Sequence, residues 1–173
     1  MTWTAPSMNR RDLPSEGDER TLLNAFLEFH RETLLWKCSG LTGEQLVLRP
    51  VPTSTMSLLG LVRHMTDVER YWFRDVVGGE DVASLYWGQP DRDSDFDDIS
   101  AADAERDFVA YLEEMEHCRK IQGSADLESI VTDRGNGDRN SFRWVMVHMI
   151  EEYARHNGHA DLFREAIDGA VGE

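Results

Sequence analysis

Glu152 and His156 stand one helical turn apart in a run where Val145, Met149, Glu152, His156, His159 and Phe163 follow at intervals of 4, 3, 4, 3 and 4 residues. That spacing lays all six side chains along the seam that a bundle helix turns toward its neighbours. A carboxylate removed from water without a partner is costly, and a buried imidazole also needs partners, so polar residues on a core seam require an explanation. Metal coordination supplies one. Side chains at i and i+4 leave the same side of a helix, so a carboxylate oxygen and an imidazole nitrogen can meet one ion at about 2.0–2.2 Å from each. His64, on an earlier apolar line beside Leu61 and Val68, is the candidate third ligand. Three protein ligands leave one coordination position open, the arrangement of a catalytic rather than a structural zinc. A buried Glu152–His156 ion pair, with His64 an ordinary core histidine, satisfies the same spacing. His148 and His159 lie near the same face, so spacing alone leaves the ligand set open.

Other polar residues are read more plainly. Glu69, five residues after His64, is a candidate for orienting a ligand or a bound water; a surface pair with Arg70 or Arg74 is the alternative. His159, one turn beyond His156, is a candidate for steering a bound ligand. His30 reads as a packed, hydrogen-bonded histidine and His117 as a solvated one. Cys38 and Cys118 lie outside any CxxC spacing and are expected to be small packing residues.

These residues need helices to position them, and apolar periodicity marks four. The first runs from about Asp18 to Cys38, with Leu22, Leu23, Phe26, His30, Thr33 and Lys37 on one face, and Gly40 ends it. The second is capped by Ser57 and continues to about Val77, its apolar line being Leu58, Leu61, Met65, Val68, Trp72 and Val76. The third starts near Ser100, where Ser-Ala-Ala-Asp resembles a capping box with Asp in place of Glu, and reaches about Ile121. Its core line holds Phe108, Met115 and either Tyr111 or Leu112. The fourth spans about Ser141 to Ile167. Between the second and third, residues 80–99 carry seven Asp or Glu and are expected to form a solvated excursion. The segment DRGNGDRN reads as a loop. Four long helices without a convincing strand pattern predict an all-α, four-helix bundle forming a single domain over 1–173, with 1–17 a flexible N-terminal segment.

Composition narrows the function classes. A formal charge of −15 argues against a nucleic acid or an anionic membrane as partner, because both require clustered Lys and Arg. No run approaches the roughly 18 apolar residues that span a bilayer, and the N-terminal stretch lacks the apolar centre of a signal peptide, so a cytoplasmic location is expected. Of 18 basic residues only Lys37 and Lys120 are lysines, a bias common in GC-rich genomes.

The passages LRPVPTSTMSLLGLVRHMTDVERYWF and WVMVHMIEEYARHNGHADLFRE resemble the DinB/YfiT-like superfamily of small metal-binding bundles, especially its actinobacterial branch of mycothiol-dependent maleylpyruvate isomerase and thiol S-transferases. The likeness covers most of Leu22 to Glu165. In that family a histidine in the context L-x-x-H-x-x-x-x-E, matched by Leu61, His64 and Glu69, holds the metal with two residues one turn apart before a glycine. Here that pair is Glu152 and His156, followed by Asn157 and Gly158. Many members have His at the place of Glu152, but the isomerase branch uses a His, Glu, His set. The resemblance therefore implies an up-down-down-up bundle, with a divalent metal on His64, Glu152 and His156, zinc first and nickel second. It further implies mycothiol as cosubstrate, in a thiol S-transferase or isomerase acting on a small electrophile. A metal-dependent hydrolase and a non-catalytic metal- or ligand-binding bundle are the alternatives, and a homodimer is the assembly considered.

Overall fold

The computed structural model describes residues 2–88 and 93–172. Four long helical stretches form the bundle: α1 (Glu19–Cys38), α3 (Leu58–Glu69) with a π-helical continuation over Arg70–Val77, α5 (Ala104–Ser124) and α6 (Phe142–Asp168). The short helices α2 (Gly43–Leu46) and α4 (Ser94–Asp97) lie in the connections. Local chemistry marks the ends. The side chains of Asp18, Ser57 and Ser141 accept the backbone N–H of Thr21, Gly60 and Trp144, and α6 closes on Gly169 at φ 78°. Ser100 instead accepts from Ala102 N–H and opens a 3₁₀ turn over Ala101–Asp103, so α5 begins at Ala104 and the expected capping box does not form.

Cross-helix pairs give the relative directions. Arg143 meets Glu19 and Asp161 meets Lys37, so α1 and α6 run in the same sense. His64 faces His156 while Phe73 faces Phe142, so α3 runs against α6. Asp107 lies near Arg63 and Glu114 near Arg74, so α5 accompanies α3. The core between them contains Leu27, Leu34, Leu61, Met65, Phe108, Tyr111, Met115, Val145 and Met149, all buried. Leu112 is exposed, which resolves the α5 alternative in favour of Tyr111.

Several expectations are corrected. The core face of α1 is Leu27, Arg31, Leu34 and Cys38, one step around the helix from the line through Phe26 and His30; Phe26 is exposed. Periodicity misses this because an arginine occupies the centre of the face. The N-terminal segment, expected to be flexible, is held along the bundle. Ala5 is buried and exchanges backbone hydrogen bonds with Leu41 and Gly40, Trp3 packs on Phe108, and Arg11 pairs with Glu32. Residues in DRGNGDRN contribute to a small antiparallel hairpin, β1 (Ile130–Thr132) and β2 (Arg139–Ser141), with Val131 opposite Asn140.

Most described residues of the acidic connection are exposed, but the segment is anchored to α3 and Asp95 is buried. Asp67, on α3, accepts the backbone N–H groups of Leu85, Tyr86 and Trp87 at 2.6, 2.8 and 2.8 Å. α4 then lies on the first turns of α3, so close that a Cβ on Gly60 would stand 2.8 Å from Phe96 Cδ1. Glycine there leaves room for the Phe96 ring against the first turn of α3. Asp91 and its neighbours among 89–92 lie outside the described residues.

Candidate metal centre

Near the middle of α3, where it crosses α6, three side chains converge. One donor atom from each of His64, Glu152 and His156 lies within 4.8 Å of the other two. Glu152 and His156 come together because they are one turn apart on α6, and the antiparallel crossing brings His64 to them, its ring 4.7 Å from that of His156. All three are partly buried. The Glu152 Oε2 to His156 Nε2 separation of 3.5 Å is long for a hydrogen bond. It is close to the edge, about 3.4 Å, of a tetrahedron with bonds of about 2.1 Å. The His156 ring beside Glu152 is the main cause holding its carboxyl below the ordinary glutamate range, reinforced by the charges of His148 and His64 against the opposing effect of burial.

His64 is oriented from the side away from α6. Its Nδ1 lies 2.7 Å from Asp95 Oδ2, on α4. Asp95 is buried, and the ring of Phe96 stacks on the imidazole at 5.2 Å between centroids. With Nδ1 engaged by a carboxylate, Nε2 is the nitrogen left to act as a donor, which is how a carboxylate fixes the tautomer of a metal-binding histidine. Sequence reasoning missed Asp95. It lies 31 residues from His64 on a four-residue helix too short to show periodicity.

The other candidates fall at varying distances. His148 stacks on Trp144, and its Nε2 stays 3.8 Å from Glu152 Oε1; with Glu151 and Glu152 it forms a second, more exposed group of potential donors. His159 stands beside His156 at 5.5 Å between ring centroids, stacked on Phe163, and its Nδ1 is buried without a hydrogen-bond partner among the described residues. Burial foremost, then the neighbouring His156 and Arg155, lower its pKa. His156 Nδ1 is likewise buried and unpartnered. His30 accepts from Asn157, and His117 pairs with Glu80 at the surface.

Glu69 corrects both roles considered for it. It is fully buried, and its two oxygens receive Arg31 Nε and Nη2 at 2.7 Å each, while Tyr153 donates to the same carboxylate at 2.7 Å. It pairs with neither Arg70 nor Arg74, and its carboxylate is committed to Arg31 and Tyr153 rather than to an imidazole of the site. Arg70 and Arg74 reach Glu114 instead.

A cavity of about 460 Å³ borders His64, walled by Val68, Tyr71, Trp72, Trp87 and Phe96, with Asp67, Asp93 and Asp95 along it. Tyr71 donates its hydroxyl to Asp133 at 2.5 Å, tying this wall to the hairpin. The centre thus has a nitrogen and oxygen donor set suited to a borderline divalent ion, next to an aromatic-walled space large enough for a small organic molecule.

The sequence model of the mycothiol-S-transferase family matches residues 22–169, a span that includes most of α1, both helices bearing the converging residues and α4. No curated protein matches the chain.

Proposed function

The chain belongs to the mycothiol-S-transferase family, and from that premise we propose that it transfers the sulfur of mycothiol to a small electrophile at a divalent metal held by His64, Glu152 and His156. The observation that carries the reading is the convergence of those three donors beside the cavity, with Asp95 on the far nitrogen of His64. The metal, zinc before nickel, would supply the positive charge that favours the thiolate, the nucleophilic form of the thiol, at neutral pH. The chain's own residues do the rest. Asp95 holds the His64 ring in one tautomer and orientation, Glu152 contributes a carboxylate that stays ionised below the usual range, and Trp72, Trp87 and Phe96 give the approach to His64 an apolar lining. In the transfer the sulfur forms a bond to carbon, the thiol proton passes to solvent, and any leaving group departs with its electron pair.

Two measurements test this. Zinc-loaded protein should consume mycothiol in the presence of an electrophile, and chelator-treated protein should not. In cobalt-substituted protein, mycothiol should raise a sulfur-to-cobalt charge-transfer band. If metal is bound and the band is absent with mycothiol and related thiols, the transferase reading fails, and hydrolysis or a non-catalytic role replaces it.

A further inference from the structure

Beside the converging three stands a second set of donors that shares one of its members, and we infer that it is a second divalent-cation site, outer and weaker than the first, with Glu152 bridging the two ions. One donor atom from each of His148, Glu151 and Glu152 lies within 4.8 Å of the other two. The spacing i, i+3, i+4 puts these three side chains on one side of α6, and Glu152 has a histidine one turn away in either direction. Its carboxylate is divided between them. Oε2 faces His156 Nε2 at 3.5 Å, and Oε1 faces His148 Nε2 at 3.8 Å. A carboxylate binds one ion through each oxygen when it serves a two-metal centre.

Glu151 is divided in the same way. Its Oε1 pairs with Arg155, whereas Oε2 turns to His148 Nδ1 at 3.7 Å, so the arginine leaves one oxygen to the group. Separations of 3.7 and 3.8 Å are too long for hydrogen bonds, so the donors converge without bonding one another. The His148 ring is held in place by two indoles, stacked on Trp144 and edge-on to Trp72, each 4.9 Å away between centroids. A ring already fixed loses little further freedom when it takes an ion. One imidazole and two carboxylates, with Glu151 nearly half exposed, leave the remaining positions to water. That donor set suits a hydrated, oxygen-preferring ion of the manganese class. The first ion repels the second across Glu152, which makes the outer site the weaker. The inference rests on the metal-centre reading through Glu152, and it holds whether or not sulfur is transferred.

Full-length protein retaining one equivalent of zinc after dialysis is titrated with Mn²⁺ alone, and free manganese is followed by electron paramagnetic resonance. One further equivalent should bind at submillimolar manganese. Glu151→Gln, at an exposed side chain, and His148→Ala should each lower manganese affinity by an order of magnitude or more with zinc retained, since even the loss of an orienting neighbour costs a metal site that much. Glu152→Gln should weaken both ions, and His156→Ala should lose zinc while keeping manganese.

Absence of the further equivalent overturns the inference, as does a further equivalent held as tightly by Glu151→Gln and His148→Ala as by the parent. A Glu152→Gln protein with the parent's manganese affinity overturns it too. Manganese held in this pattern by a protein whose cobalt form shows no charge-transfer band with thiols upholds the outer site while the transfer reading fails. Thiol consumption by a zinc protein that takes up no manganese defeats the outer site and leaves transfer standing.

Discussion

His64 meets Glu152 and His156 on one side and Asp95 on the other, and each contact leads to a separate expectation. Alanine at His64, Glu152 or His156 should each abolish stoichiometric zinc after purification, whereas His117→Ala, whose ring pairs with Glu80 at the surface, should leave it unchanged; elemental analysis decides. Full occupancy in any of the first three removes that residue from the ligand set. Asp95→Ala should weaken metal affinity about 10- to 100-fold, the usual effect of losing an orienting carboxylate, and Asp95→Asn, which can still accept from Nδ1–H, should lose less. A competition titration with a chromophoric chelator reads both. His159, beside His156 but outside the converging three, should on replacement by alanine lower turnover more than metal occupancy.

Among the helices, the element that fixes the α3–α6 crossing is a buried polar cluster rather than apolar packing alone. Arg31 of α1 grips Glu69 of α3 with two hydrogen bonds, Tyr153 of α6 donates to Glu69, Tyr111 of α5 bonds Tyr153 at 2.9 Å, and Gln122 of α5 bonds Arg31 at 3.0 Å. All four long helices therefore meet at one ion pair whose members are both 0% exposed. Without Glu69, the fully buried Arg31 would keep only the partly exposed Glu28 as a charged partner, a loss of roughly 3 kcal/mol. Glu69→Ala should accordingly lower the thermal midpoint by about 10 °C, whereas the joint replacement Arg31→Met with Glu69→Leu should recover most of the loss. Calorimetry of the two variants checks it, and a Glu69→Ala protein as stable as the parent would show that the cluster contributes little.

For the molecule as a whole, the pH dependence of stability has two limbs with identifiable groups. Burial raises the Glu28 carboxyl, but hydrogen bonding from Arg119 and the charges of Arg31 and Arg119 outweigh it, so its folded pKa lies below the ordinary 4.5. The unfolded carboxylate therefore takes up protons first on acidification, and the contribution present above about pH 4.5 is lost as pH falls toward the lower folded value. At the alkaline end, burial pushes the Cys38 thiol from 9.0 up to about 12, against a small opposing effect of Arg164. The unfolded thiol ionises first, so stability should decline from about pH 9 as pH rises toward 12. Urea midpoints measured across pH 8 to 11 should fall more for the parent than for Cys38→Ala. Cys38 should also resist alkylation in the folded chain at neutral pH.

Periodicity alone determined the four long helices and the seam bearing Glu152 and His156, because a 3.6-residue repeat records which face is buried and i, i+4 spacing records which side chains share a side. It also put His64 on a facing line, and the residues around both helices carried the family resemblance. Three decisions belonged to the tertiary structure. Arg31 and Glu69 are charged residues at core positions, and nothing local indicates that each satisfies the other across 38 positions of chain. Asp95 is bonded to His64 by α4, whose four residues are too few to carry a period, and that helix is seated by Gly60 and by Asp67 gripping the preceding backbone. The acidic connection reads as solvated because composition reports only the type of each residue. Its docking depends on the acceptor that Asp67 and the imidazole that His64 present after the helices have packed, and long-range partners of that kind are invisible to a local pattern.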